Sequence, residues 1–417
     1  LKKTKAVPRR FPKLLLAPLG LAAVFLAIEF LDEFAYGTLG AAWPVIRDDL
    51  NLTYGQIGLL VGLPLMLGNL VEPVLGLLGD LGHRKRIILA GGVCFLAGML
   101  LMGVSTSFIF LLAASVLSSP ASGAFVGLSQ ATLMDLDPRR REHSMARWTL
   151  AGSIGVVAGP ILLAGILSRG GSWRIPMFLF AAGALLLTLA LAPRSFPASH
   201  TQEKNPTFRG LIADFRSAVR RKEVLRWLVL LALGDLMLDV LLGFIALYGT
   251  DVARVSDSTA SLMVAVWSGV GILGNTLLIP LLQRANPVRY LRFSALWMSG
   301  LYAAFLLAPW IGVKFLLLAF LGLGNAGWYA IPKARLYAAL PGRSGLAMAV
   351  DSSFGILAGG VPLLLGALAQ RVGLAATMWL LLAGPLGLLL FLPRSGSASN
   401  AGGTAGGNAA PVPGGAA

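Results

Sequence analysis

Gly76-Leu77-Leu78-Gly79-Asp80-Leu81-Gly82-His83-Arg84-Lys85-Arg86 is a short charged turn set between two long apolar runs, near 53–78 and 87–105. A hydrocarbon core of roughly 30 Å is crossed by about 20 apolar residues in a helix, and each run is of that order. The stretch reads as a membrane hairpin whose basic knot marks where the chain leaves the lipid. Outward from it the same pattern predicts spans near 15–43, 108–132, 148–168 and 174–192, then near 226–249, 259–282, 290–311, 314–336, 346–369 and 374–392. Apolar residues are 56% of the 417 and charged residues 12%, while a soluble domain carries about twice that charged share. The chain is an all-α membrane protein with 12 predicted transmembrane helices.

The 34 Lys and Arg outnumber the 18 Asp and Glu, a surplus that in a soluble chain points to nucleic acid. Their position decides otherwise. With a cytoplasmic N-terminus, only Arg47, Arg169, Arg174, Arg254, Lys314 and Arg371 fall on the outer side. The positive-inside rule then puts both termini in the cytoplasm of a multi-pass plasma (inner) membrane protein. Anionic headgroups account for the basic excess, membrane lipids are the implied partners, and no nucleic acid is needed. The basic N-terminus before an apolar run imitates a secretory signal, but the run is long and carries Glu29, Asp32 and Glu33, so it reads as an uncleaved first span. Cys94 stands alone inside the third span, and His83, His143 and His200 all fall in loops. No metal site, cofactor or disulfide is expected, and no phosphate-binding loop is present, so the chain is not read as an enzyme.

The sequence also repeats itself. Leu31-Asp32 returns as Leu238-Asp239, Leu67-Gly68-Asn69 with Pro73 as Leu273-Gly274-Asn275 with Pro280, and Met145-Ala146 with Gly152 as Met348-Ala349 with Gly355, at shifts of 207, 206 to 207 and 203. A near-constant shift implies two related halves, the layout of secondary transporters that hold their cargo where the halves meet. The expected organisation is a cytoplasmic segment at 1–14, a six-helix bundle at 15–192, a linker at 193–225, a second six-helix bundle at 226–392 and a disordered tail at 393–417. Within the linker Phe208, Leu211, Ile212, Phe215 and Val219 recur three or four apart, as in a helix lying on the membrane surface. The tail is Gly, Ala, Ser and Asn with two prolines, a composition with little apolar surface to bury.

The charged turn from Gly76 to Arg86 resembles the loop signature of the major facilitator superfamily: a glycine, an aspartate four residues on, then a glycine and basic residues. Two departures stand out, Leu81 where a basic residue is usual and His83 where a glycine is expected. The resemblance extends to the twelve-span layout and implies that family's fold, two pseudo-symmetric six-helix bundles, acting as a monomer. In the family the aspartate helps latch the halves on the cytoplasmic side, which implies a gating role for Asp80 together with Gly76, Arg84 and Lys85. Gly76 would also permit close helix approach, and the basic residues read more plainly as topology markers. Gly152-Ser-Ile-Gly155-Val-Val-Ala-Gly159-Pro160 is similar to a shortened drug/proton antiporter motif, which implies gating roles for Gly155, Gly159 and Pro160. Ala146 and Leu163-Ala164 replace glycines of that motif, and the same residues serve ordinary packing or bend a span. Tyr36-Gly37-Thr38-Leu39, Pro44 and Leu52-Thr53-Tyr54-Gly55-Gln56-Ile57-Gly58-Leu59 look most like the fosmidomycin-resistance branch of drug exporters.

Ionisable groups deep in a bilayer cost about 3 kcal/mol or more unless they face protein, water or a partner, so each is a functional candidate. Glu29, Asp32 and Glu33 are spaced to share a face of the first helix, and Asp235 and Asp239 a face of the seventh. The repeat makes Asp32 and Asp239 counterparts, aimed into the cleft between the halves. Crowding and desolvation there disfavour the charged carboxylate, which fits proton carriage and binding of a cationic substrate. Glu72 and Asp351 are weaker candidates, Asp351 as a mere balance for Lys333 or Arg335. Tyr36, Trp267 and Tyr329 could line a cavity, whereas Trp43 and Trp328 read as headgroup anchors. The expected function is proton-coupled efflux of a small organic molecule or drug by alternating access. The alternatives are a proton-coupled nutrient importer, or a non-transporting sensor or lipid-handling protein.

Overall fold

The computed structural model describes residues 20–79, 83–136, 141–196, 215–282, 284–340 and 344–393. Asp80, the segment at 1–14, the linker stretch 197–214 and the tail from 394 lie outside the described residues. The spans are α1 (Leu21–Leu50), α2 (Tyr54–Leu78), α3 (Arg84–Val104), α4 (Phe108–Leu136), α5 (Arg141–Leu167), α6 (Arg174–Leu191), α7 (Lys222–Asp251), α8 (Asp257–Leu282), α9 (Pro287–Leu307), α10 (Ile311–Gly324, resumed at Ala330–Ala339), α11 (Ser344–Val372) and α12 (Leu374–Phe391). Among the described residues ten helices are long and apolar enough to cross a membrane. The other two are α1, weighted by three acids, and α10, interrupted at mid-span.

Capping fixes where several helices begin. Thr53 and Gln56 close a reciprocal capping box at the head of α2, Ser107 caps α4, and Asn286 caps α9 with Pro287 in the first turn. The sequence pattern ends the first span at 43, but Pro44 is tolerated inside α1, which continues to Leu50 and stops where Asn51 turns left-handed at φ 52°. Of the linker helix, residues 215–219 form one helical turn, with Ala218 buried.

The halves superpose in numbering as well as in kind. α2 and α8 begin at 54 and 257, α3 and α9 at 84 and 287, and the first parts of α4 and α10 at 108 and 311, a constant shift of 203. That matches the Met145/Met348 correspondence. The acid-bearing pair differs: α1 and α7 begin at 21 and 222 and end at 50 and 251, a shift of 201. By helix ends the position equivalent to Asp32 is therefore Leu233, with Asp235 and Asp239 two and six residues beyond it.

Within each half the helices pack on near neighbours: α1 on α5, α3 on α4 and α6, and α7 on α10 and α12. Between halves, α2 lies along α11, α5 along α8, and α1 meets the later part of α7. The starts of α1 and α7 define a terminal face, and the α1–α2 and α7–α8 turns a distal face.

Candidate functional site

Glycines set the first helix in place. A Cβ on Gly155 would stand 2.5 Å from the Phe30 carbonyl oxygen, and one on Gly159 2.6 Å from that of Phe34, so α5 presses backbone to backbone on α1. One turn earlier, a Cβ on Gly152 would meet Glu29 Oε1 at 2.6 Å and Glu33 Cγ at 3.1 Å. Glu29 is 8% exposed and faces the Trp148 indole. Gly155, Gly159 and the buried Pro160 thus form a packing seam.

Asp32 points elsewhere. Its Oδ1 accepts from Ser122 Oγ at 2.9 Å, at the residue before α4 widens into a π-turn at Gly123–Gly127. Turns of this kind insert an extra residue and recur at functional sites. A Cβ on Gly123 would stand 3.2 Å from Glu72 Oε1, so the missing side chain makes room for an acid from α2, and the charges of Glu72 and Asp32 act on one another. The three acids of α1 therefore divide, Glu29 and Glu33 toward α5 and Asp32 toward α4 and α2.

The seventh helix supplies the opposite wall. It too carries a π-turn, Leu236–Val240, directly after Asp235 and holding Asp239, and the two carboxyl groups interact. The Tyr36 hydroxyl of α1 is directed at Asp239, and Glu33 and Asp239 feel each other's charge. Tyr36 sits near the middle of α1, about 22 Å from either end, and Asp239 about 18 Å from the distal end of α7. At that depth Tyr36 is 43% exposed and Asp239 is exposed. Since they face each other across the halves, their open surface belongs to a cleft inside the molecule.

The distal face is shut. Arg47 of α1 and the Tyr54 hydroxyl of α2 both bond the Asp251 carboxylate at the end of α7, and the Tyr54 amide donates to Gln370 Oε1 of α11 at 3.1 Å. Glycines close the rest: a Cβ on Gly58 would stand 2.6 Å from the Pro362 carbonyl oxygen, and one on Gly366 2.9 Å from Gly58 Cα. Sequence reasoning missed this closure. Its signal was Arg47, a basic residue on the side where few are expected, with Asp251 at the matching end of the other half.

Toward the terminal face, Arg84 pairs with Asp135 at 2.6 Å and Lys85 donates to the Arg194 carbonyl at 2.7 Å, both within the first half. No described atom lies within 4 Å of a Cβ on Gly76, so the close approach expected there is absent; it occurs at Gly79, against Leu128. Lys333 of α10 is paired with Asp351 of α11, as expected for that acid. Trp43 and Trp328 are not headgroup anchors: they are 7% and 0% exposed, and Trp328 donates to Ser294 Oγ at 2.8 Å inside the second half. Lys314 is buried as well, donating to the Tyr248 hydroxyl at 2.7 Å and the Phe305 carbonyl at 2.8 Å.

Residues 25–361 match the sequence profile of the Major Facilitator Superfamily. The chain belongs to the Major Facilitator Superfamily. Within the superfamily, it is similar to the fosmidomycin resistance protein of Escherichia coli (strain K12), 26% identical over 42% of this chain and 43% of that protein. It is also similar to the enterobactin exporter EntS of Salmonella choleraesuis (strain SC-B67), 31% identical over 46% of this chain and 48% of that one. Both matches span less than half of the relative's length. Among solved structures, the nucleoside transporter NupG superposes with a TM-score of 0.68 at 15% identity, covering 90% of this chain and 98% of that one. The protein is thus a multi-pass membrane protein of this transporter family.

Proposed function

We propose that this transporter exports a small organic molecule from the cytoplasm in exchange for protons. The observation that supports the reading is the junction of the Tyr36 hydroxyl of α1 with Asp239 of α7, two exposed groups at mid-depth on opposite halves, and we read the carboxyl groups around it as sharing one cleft. Asp32, Glu33, Asp235 and Asp239 are its proton- and cation-binding groups, with Glu29 behind them against α5. Binding a cation among them favours release of a proton, which couples the two flows. The relatives named for fosmidomycin resistance and enterobactin export support efflux over import.

The bundles α1–α6 and α7–α12 rock about the α2–α11 and α5–α8 contacts, and the cleft faces the cytoplasm while Arg47, Tyr54 and Asp251 hold the distal face shut. Both termini are cytoplasmic, the membrane is the inner membrane, and one chain suffices. Gly76, Asp80, Arg84 and Lys85 gate the terminal face, where Asp80 lies outside the described residues. The test is flux in proteoliposomes under an imposed pH gradient, screened over cationic, anionic and neutral drugs. Asp32→Asn should abolish the proton-driven component while leaving the protein folded. Undiminished proton-driven flux in that variant removes Asp32 from the mechanism, and accumulation in the direction of proton entry makes the protein an importer.

A further inference from the structure

The cleft is not uniformly acidic. Glu72, exposed on α2, lies beside Asp32 through the Gly123 turn, and the cation acting on it is Lys333 of the opposite half. Gly355 of α11 packs on Asn69 of α2, a Cβ there standing 2.7 Å from Asn69 Oδ1. One turn toward the terminal face from that contact come Asp351 on α11 and Glu72 on α2, so the Lys333–Asp351 pair lies opposite Glu72 across the halves. The Lys333 ammonium bonds Asp351 and donates to the Tyr329 hydroxyl at 2.8 Å, with Nζ 4.9 Å from the centre of that ring. Tyr337, one turn on, is also within reach of its charge. An ammonium has three donors, and these two partners leave one for the cleft, where the Lys333 side chain is 25% exposed and Tyr329 55%.

Four other cations of the spans have partners of their own. Arg47 is held by Asp251, Arg174 by Asp49, Arg84 by Asp135, and Lys314 is enclosed by Tyr248 and Phe305. The Lys333–Asp351 pair is itself partly open, the side chains 25% and 23% exposed, and that opening lets an incoming anion share the ammonium with Asp351.

We infer that Lys333, flanked by Tyr329 and positioned by Asp351, is an anion-binding subsite of the transport cleft. Its ligand is the carboxylate of a zwitterionic amphiphile whose cationic end lies among Asp32, Glu33 and Asp239. The inference rests on the cleft being the transport site, and it makes an acidic cleft compatible with cargo that carries an anionic group.

The probes are rhodamine B, a zwitterion with a free carboxylate, and its ethyl ester, which keeps the cation and lacks the anion. Dissociation constants are read by fluorescence anisotropy on the purified full chain. Lys333→Gln together with Asp351→Asn removes both charges of the pair and avoids a stranded carboxylate. This variant should weaken rhodamine B about tenfold or more, the size of a lost charge-assisted hydrogen bond. The ester should change by less than about twofold, and Lys333→Arg should restore most of the zwitterion's affinity. Equal losses for both probes, or no loss for the zwitterion, overturn the subsite. Asp32→Asn is the separating control: it should weaken both probes, and if it weakens neither while the Lys333 effect stands, the acidic cleft fails and the anion subsite survives.

Discussion

Cutting the distal closure should tip the transporter toward its opposite state. Asp251 accepts from Arg47 and Tyr54 across the halves, and from Thr250 Oγ1 at 3.1 Å within its own helix. Only the first two are lost when the halves part. A hydrogen bond to a charged group is worth about 1.5–3 kcal/mol, and the Arg47 and Asp251 side chains are 17% and 19% exposed, which leaves the pair partly screened. Asp251→Ala should then remove about 2–4 kcal/mol from the distally closed conformer, a shift of roughly thirtyfold to several hundredfold in the ratio of the two states. Spin labels on Ser168→Cys in the first half and Trp310→Cys in the second, with Cys94→Ser, read the opening as a distance distribution in lipid nanodiscs. Arg47→Met should broaden the distribution in the same direction, and the double variant should add little to either single one, because the residues act as a unit. Additive widening, or a distribution unchanged by Asp251→Ala, refutes the assignment of this cluster as a bolt.

Three further outcomes follow from the packing. Gly155→Ala places a methyl 2.5 Å from the Phe30 carbonyl oxygen and should cost about 1–3 kcal/mol, read as a lower melting midpoint in detergent, whereas Gly76→Ala, with no described atom within 4 Å of the added methyl, should leave the midpoint unchanged. Lys314→Met strands the Phe305 carbonyl and takes a donor from the Tyr248 hydroxyl, which keeps its bond to the Leu306 carbonyl, and should destabilise by about 1–3 kcal/mol; an unaltered thermal midpoint would show that the buried ammonium contributes nothing. Tyr36→Phe removes the hydroxyl facing Asp239 and should shift the pH dependence of transport while leaving the melting midpoint within about half a kcal/mol of the parent; an unmoved pH profile separates Tyr36 from proton handling.

Hydropathy and the repeat made the twelve spans and the two halves legible, because lipid imposes length and polarity on every helix regardless of its neighbours. The acids of α1 and α7 were legible for the same reason, being costly at that depth. Their grouping was not. Helical spacing put Glu29, Asp32 and Glu33 on one face, yet a face of α1 meets α5 on one flank and α4 and α2 on the other, and only packing separates Glu33 from Asp32. The pairing of Asp32 with Asp239 followed a two-residue echo at a shift of 207, whereas α1 and α7 begin and end 201 residues apart. Trp328 shows the limit of composition: a tryptophan suits the headgroup layer or a core equally well, and the break at Asn325–Tyr329, with Gly327 at φ 76°, is what turns it inward. Arg47 and Asp251 are ordinary helix-end charges until the two bundles are brought together.

The contact between α2 and α11 is largely glycine on one side or the other: Gly58, Gly62, Gly355, Gly359 and Gly366. Knobs locked into holes would have to be pulled out before two helices could tilt, whereas bare backbone offers a smooth bearing on which one can roll against the other. The seam can thus hold the bundles together while they swing, and any bulky residue added to it acts as a brake on the cycle before it acts on the fold.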